Sequence, residues 1–197
     1  MIDIVALREQ NENKPWLERT LFISGRLSLD FAQSGGEGEY KVFERLHTPE
    51  DLAAWLAMSE LSLERAVASR TDVRLAHELR GALWRTANAL RGSDAPLPKD
   101  IATINNMAAT TPLVPVLDQY NVRKFWQQPV SAQSALATIA RDAIELFSQR
   151  ANLPIRQCAG AHCPLLFIDS SRPGKRKWCS MERCGNRAKI VKYRNQH

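Results

Sequence analysis

The sequence predicts an α+β protein: a mostly helical N-terminal domain over residues 1–150 with a few short strands, then a small treble-clef-like module over residues 151–197. Three observations carry this reading. Apolar residues recur at helical spacing in several segments before residue 150. All four cysteines, Cys158, Cys163, Cys179 and Cys184, lie after it. The charge divides at the same place. Residues 1–150 hold 17 Lys and Arg against 19 Asp and Glu, and residues 151–197 hold 10 against 2, so a net of −2 gives way to +8 in a chain of +6 overall. Two independent shifts at one point argue for a boundary there, with the Pro154-containing stretch ANLPIR as a short connector.

The elements follow in chain order. Leu21 to Ile23 and Arg26 to Ala32 are short apolar or alternating runs split by Ser24-Gly25, which predicts strands and a hairpin. Ser34 to Gly38 (SGGEG) reads as a turn; it lacks the Lys-Ser/Thr ending of a P-loop, and Glu37 and Glu39 would repel phosphate. Thr48-Pro49-Glu50-Asp51 places a cap, a first-turn proline and two acids in order, a helix start running to about Met58. Leu61 to Ala68 is expected as a further short helix.

Thr71-Asp72 opens the clearest helix, with Ala76, Leu79, Leu83, Ala87 and Leu90 along one face and Gly92 at its stop. Ile101 to Ala109 is expected to be helical. Leu113 to Tyr120 and Val122 to Trp126 have strand content, with Pro115 confining the first to an edge. Ala132, Ala135, Leu136, Ile139, Ala143, Leu146 and Phe147 define a last amphipathic helix ending near Arg150.

Composition excludes several classes. The chain is 44% hydrophobic and 24% charged, a globular balance. The longest apolar run, Leu52 to Met58, is seven residues against the roughly 20 needed to cross a bilayer. The opening MIDIVALREQ has an acid at position 3 and no basic flank before an apolar stretch, which argues against a secretory signal and for a cytoplasmic protein. No His-Glu-x-x-His, Gly-x-Ser-x-Gly or dinucleotide fingerprint occurs, so no enzyme is expected. His47 and His77 read as surface or packing residues. Asp30 sits between Leu29 and Phe31; it reads as a turn-capping carboxylate or as a polar anchor for a small ligand.

The cysteine spacing is Cys158-x4-Cys163-x15-Cys179-x4-Cys184. Two close pairs joined by such a linker form a zinc pattern, because each pair puts two thiolates on one turn and the linker lets the pairs converge into a tetrahedral shell. Four thiolates close that shell, so one structural Zn2+ is expected rather than a catalytic one. His162 adjoins Cys163 but is not needed to complete the site. Some 40 residues make too little core alone, and the metal supplies the deficit. Leu165 to Ile168 is a strand run, Ser170 to Gly174 a turn, and Lys177-Trp178 a return strand that closes a hairpin. A helix then follows Cys184. Phe167 and Trp178 form the mini-core, with base stacking as the other reading of Trp178.

These residues resemble the CGNR zinc finger. Cys184-Gly185-Asn186-Arg187 is similar to its signature. Around it stand Phe167 to Asp169, Ser171-Arg172 and the basic run into Trp178-Cys179-Ser180-Met181. In that family the finger follows an ABATE domain, described as a stress-induced transcription regulator. Leu29-Asp30-Phe31-Ala32-Gln33-Ser34 is similar to the domain's Leu-Asp-Phe-Val-Asn-Thr-like segment, with Gln-Ser standing for Asn-Thr. The resemblance implies a bacterial regulator that binds zinc and DNA.

The charge pattern bears on the same question. Lys175, Arg176 and Lys177 form a run before Trp178, and Arg183, Arg187, Lys189, Lys192 and Arg194 gather on or beside the last helix. Such clustering is the electrostatic footprint of phosphate contacts. Asn186 and Arg187 fall in the first helical turn, where base-edge contacts become accessible. Asn186 bracing the zinc loop, and Arg187 offsetting the thiolate charge, are equally open. The expected function is a zinc-binding, DNA-binding transcriptional regulator whose N-terminal domain senses a small-molecule effector or forms a homodimer. The alternative is an adaptor whose basic finger docks an acidic protein.

Overall fold

A computed structural model of the chain describes residues 22–36, 44–64, 66–120, 122–149, 154–160 and 163–194, with the side chain of Lys192 excepted. It is mostly helical. Helix α1 is Leu27–Ala32, α2 Pro49–Met58, α3 Arg70–Gly92, α4 Pro98–Ala108, α5 Ala132–Ser148 and α6 Asn186–Arg194. Strands β1 (Pro115–Leu117) and β2 (Lys124–Trp126) form one antiparallel hairpin, and β3 (Ile155–Gln157) and β4 (Leu166–Ile168) another. No described helix is long and apolar enough to cross a membrane.

Local chemistry sets the helix starts. Thr48 accepts from Asp51 N–H while Asp51 accepts from Thr48 N–H, a reciprocal capping box, with Pro49 at the first helical position. Ser69 and Asp72 make the same box for α3, two residues before the start expected from Thr71-Asp72. Ser93 adopts a left-handed φ of 66° and ends α3 just past Gly92.

The main core lies between α2, α3, α4 and α5. Trp55 is fully buried, 5.0 Å from the Phe31 ring and 5.5 Å from Phe22. Arg85 forks onto Asp100 and ties α4 to α3, and Arg141 Nε donates to Ala108 O at 2.8 Å, which ties α5 to the end of α4.

Three expectations are overturned. The Arg26 to Ala32 segment is helix α1, not a strand. Leu27, Ser28, Leu29, Phe31 and Ala32 are all buried, so the segment has no polar face from which a period of two or 3.6 could be told. Of Leu21 to Ile23, the other half of the expected hairpin, Leu21 lies outside the described residues, and Phe22 and Ile23 form no strand. The described residues of Leu61 to Ala68 are irregular rather than helical. Ser62 takes a left-handed φ of 52°, and Val67 makes an isolated parallel bridge to Ser131.

Third, the partner of β4 is β3, not Lys177-Trp178. The register pairs Ile155 with Ile168 and Gln157 with Leu166. The first cysteine pair is therefore the turn of this hairpin. Lys177 instead meets the turn edge-on, its carbonyl accepting from Ala159 N–H at 2.9 Å. Residues 154–156, expected as connector, belong to the structure of the finger.

The hairpin is seated on the helices. Ile155, Leu166 and Ile168 share a buried cluster with Leu29, Ala87 and Leu146. The outer edge of β4 is satisfied by the α1 region: Ile168 N–H donates to Ser24 O at 2.8 Å, and Leu166 exchanges two hydrogen bonds with the Gln33 side chain.

Candidate metal centre and nucleic-acid interface

The four cysteines come from three kinds of local structure. Cys158 follows β3 and Cys163 precedes β4, on the two sides of one turn closed by Cys163 N–H to Gly160 O at 3.0 Å. Cys179 ends an irregular segment. Cys184 sits in a π-helical turn, Met181–Gly185, where the N–H groups of Cys184 and Gly185 both donate to Ser180 O at 3.1 Å. The last ligand thus lies immediately before α6.

The chain brings all four sulfurs within 4.8 Å of one another. Cys179 Sγ lies 3.6 Å from both Cys163 Sγ and Cys184 Sγ. A tetrahedral shell with Zn–S of about 2.3 Å has sulfur edges of about 3.8 Å, so the donor set fits zinc in number, type and spacing. Cys179 N–H also donates to Cys158 Sγ at 3.3 Å, as suits a thiolate.

Charge makes the same point. The Cys158 thiol is held well below its usual range, first by its contact with Cys163 and then by Cys179. Contact with Cys158 in turn pushes Cys163 well up, and Cys179 up to about 12. One thiolate is tolerated and its neighbours resist ionising until a dication supplies the opposing charge. The site holds a single structural Zn2+. The metal would be held by the four cysteines and would fix the turn, the Cys179 segment and the start of α6 relative to one another.

Two glycines make room for this packing. A Cβ at Gly160 would lie 3.1 Å from Cys163 Cβ and 3.3 Å from Cys184 Sγ. One at Gly185 would lie 2.6 Å from Met181 Sδ and 3.3 Å from the Trp178 ring. Phe167 is fully buried, with Trp178 packed against it and the cysteines, so the mini-core forms as expected.

Asp169 organises the loop between the cysteine pairs, a role that sequence reading missed. Its side chain is wholly buried. It accepts from Ser171 N–H and Oγ–H, from Arg176 N–H at 3.0 Å, and from Arg156 Nε at 2.9 Å. These donors, the Ser171 hydroxyl foremost, hold its carboxyl below the usual range. The Phe-x-Asp spacing was visible, but its partners lie on both sides of a loop whose path spacing does not reveal.

The basic residues separate into two groups. Arg176 is turned inward: its guanidinium lies 4.6 Å over the Phe167 ring and donates to the carbonyls of Trp178 and Cys179. Its donors are used inside the finger. Lys175, Lys177, Arg183, Arg187, Lys189 and Arg194 are exposed, as is Asn186, while the Lys192 side chain lies outside the described residues. The only other charged groups among the described residues from 163 onward are Arg172 and Glu182, both exposed, and the buried Asp169.

Away from the finger, Asp30 accepts from Ser24 N–H at 3.0 Å and so ties down the turn before α1. Burial pushes its carboxyl up to about 6, against the pull of Ser24. His77 meets Leu46 O at 2.8 Å, and His47 is exposed. Residues 37–38, His162 and His197 lie outside the described residues. Gly35 packs against the partly buried pair formed by Arg80 and Glu44, so the glycine turn carries a close approach that its sequence did not suggest.

Two family models match the chain. ABATE, described as "Putative stress-induced transcription regulator", matches residues 25–150, and the CGNR zinc finger matches residues 155–197. No curated protein matches it.

Proposed function

Since the chain belongs to the ABATE family and carries a CGNR zinc finger, we propose that this zinc-binding regulator acts by binding DNA through its finger. The observation that carries the reading is the sign and placement of charge. Eight bases among the described residues of the finger stand exposed, Arg156, Arg172, Lys175, Lys177, Arg183, Arg187, Lys189 and Arg194, against one exposed acid, Glu182. A phosphate backbone is the polyanion that such a surface suits. Residues 1–150 form the regulatory unit, sensing an effector or self-associating in the cytoplasm, and residues 151–197 the contact unit. Zinc is structural in this scheme, because four thiolates leave no open coordination position for substrate.

The test is binding of the zinc-loaded chain to fluorescent duplex DNA across a salt series. Affinity should fall steeply with salt, and Lys175→Ala should shallow the log–log slope by about one. Absence of salt-sensitive binding to any duplex or single strand would remove nucleic acid from the function and leave an acidic protein as the finger's partner.

A further inference from the structure

On the reading that the finger binds DNA, we infer that α6 is the base-reading element and enters the major groove of the duplex, while the Lys175–Lys177 loop contacts backbone only. The first reason is how α6 stands. Of its described side chains only Ala188 is partly buried, and Asn186, Arg187, Lys189, Ile190, Val191, Tyr193 and Arg194 are all exposed. Ile190 and Val191 are 53% exposed and Tyr193 65%. Nine residues rising about 1.5 Å each make a rod of roughly 13 Å. An α-helix with its side chains is about 10–12 Å across, which a groove about 12 Å wide admits.

The second reason is the order of residues around it. At about 100° per residue, Ala188 marks the side facing the finger. Asn186, Ile190 and Tyr193, at steps of four and three, lie on the opposite side and form a ridge pointing away from the body. Arg187 and Arg194 lie along one flank of that ridge, and Lys189 along the other. Positive charge on both sides of a mixed amide and apolar ridge calls for a partner with two anionic walls and a readable floor. The major groove of B-form DNA has that section: phosphates on each side, with base edges and thymine methyls between. The major groove of A-form RNA is too deep and narrow for side chains to read. An acidic peptide would satisfy one flank and leave the ridge uncovered.

The third reason is rigidity. Asn186 follows Cys184 by two residues, and Gly185 between them is buried against Met181 and Trp178. The metal shell therefore fixes the first turn of α6, where a reader needs positional precision.

The experiment is selection of bound duplexes from a random pool by the full zinc-loaded chain. Binding of variants to the selected site and to a shuffled site follows, with zinc content checked by native mass spectrometry. Asn186→Ala and Ile190→Ala should cut the selected-to-shuffled ratio about tenfold or more, from loss of discrimination at one or two base pairs. Lys175→Ala should weaken both sites equally. If the chain binds duplex DNA with salt sensitivity but both α6 variants keep the parental ratio, α6 is not the reader and the DNA-binding reading survives. Preference for RNA or for an acidic protein overturns the inference, and absence of any duplex binding overturns both.

Discussion

Gln33 holds the backbone of Leu166 from both of its polar sides: its amide donates to Leu166 O at 3.1 Å, and its carbonyl accepts from Leu166 N–H at 2.6 Å. One side chain thus takes the place of a neighbouring strand on the outer edge of β4. Ser24 O completes that edge at Ile168. Without these partners, buried backbone groups of the finger would be left unsatisfied. Gln33 is therefore a junction between helices and finger.

Gln33→Ala should remove both bonds and cost about 1–3 kcal/mol, since two groups that ladder pairing does not reach lose their partner. The measurement is amide hydrogen exchange. Protection should fall at Leu166 while the centre of α3 keeps its own. Gln33→Glu should be at least as damaging, because a carboxylate then faces the Leu166 carbonyl. Unchanged exchange at Leu166 in both variants would show that the junction is held by other contacts.

The junction couples metal to fold. Ile155, Leu166 and Ile168 cover Leu29, Ala87 and Leu146, all of which are fully buried. Removing zinc should release the hairpin and expose Leu29 and Leu146, each worth about 1.5–3 kcal/mol of burial. Chelation should then lower the melting temperature followed by helical circular dichroism on the order of 10 °C. Cys184→Ser should reproduce the shift without chelator. A helical transition that ignores zinc would mean that the finger and helices fold independently.

How much of this was open to reading follows from where the determinants sit. The zinc centre was legible because its geometry is written in short local spacings and one linker. Helices α2, α3 and α5 were legible because one face of each is polar, and caps such as Thr48 mark the entrance. Helix α1 was not, since Leu27, Leu29 and Phe31 are buried on all sides and carry no period. Strand β3 was not, since three residues before a cysteine look like linker until their partner is known. The inward turn of Arg176 and the grip of Gln33 on Leu166 join groups whose pairing depends on tertiary path, which leaves no pattern in sequence.

Asp30 gives a pH dependence whose sign is opposite to that of a salt-bridged carboxylate. Burial raises its folded-state pKa to about 6, well above the ordinary carboxylate range. The native chain therefore binds the proton more tightly, and this contribution to stability is lost as pH rises through about 6. Lowering the pH from 8 to about 5.5 should raise the unfolding free energy by about 1 kcal/mol. Glu44, held at about 2 by Arg80 in spite of its burial, stays ionised across this window and adds no slope. Urea titrations of the zinc-loaded protein should show the rise, and Asp30→Asn should flatten it. A parental slope retained in Asp30→Asn would assign the titration to another group.

The two glycines of the finger should respond differently to the same methyl group. At Gly160 the added Cβ meets Cys163 Cβ at 3.1 Å and Cys184 Sγ at 3.3 Å, atoms that the metal holds in place. Gly160→Ala must distort the shell, and zinc affinity should fall about 10- to 100-fold, the range seen when groups supporting a metal site are disturbed. At Gly185 the closest clash is with Met181 Sδ, the far end of a flexible chain that is itself half exposed. Met181 can swing outward and leave only the 3.3 Å approach to Trp178. Gly185→Ala should therefore keep zinc affinity within a fewfold of the parent, and Gly185→Ala with Met181→Ala should restore it fully. Competition with a chromogenic chelator measures both. An equal loss at the two positions would mean that Trp178, not Met181, sets the limit at Gly185, and that the start of α6 is as tightly bound to the shell as the cysteine turn itself.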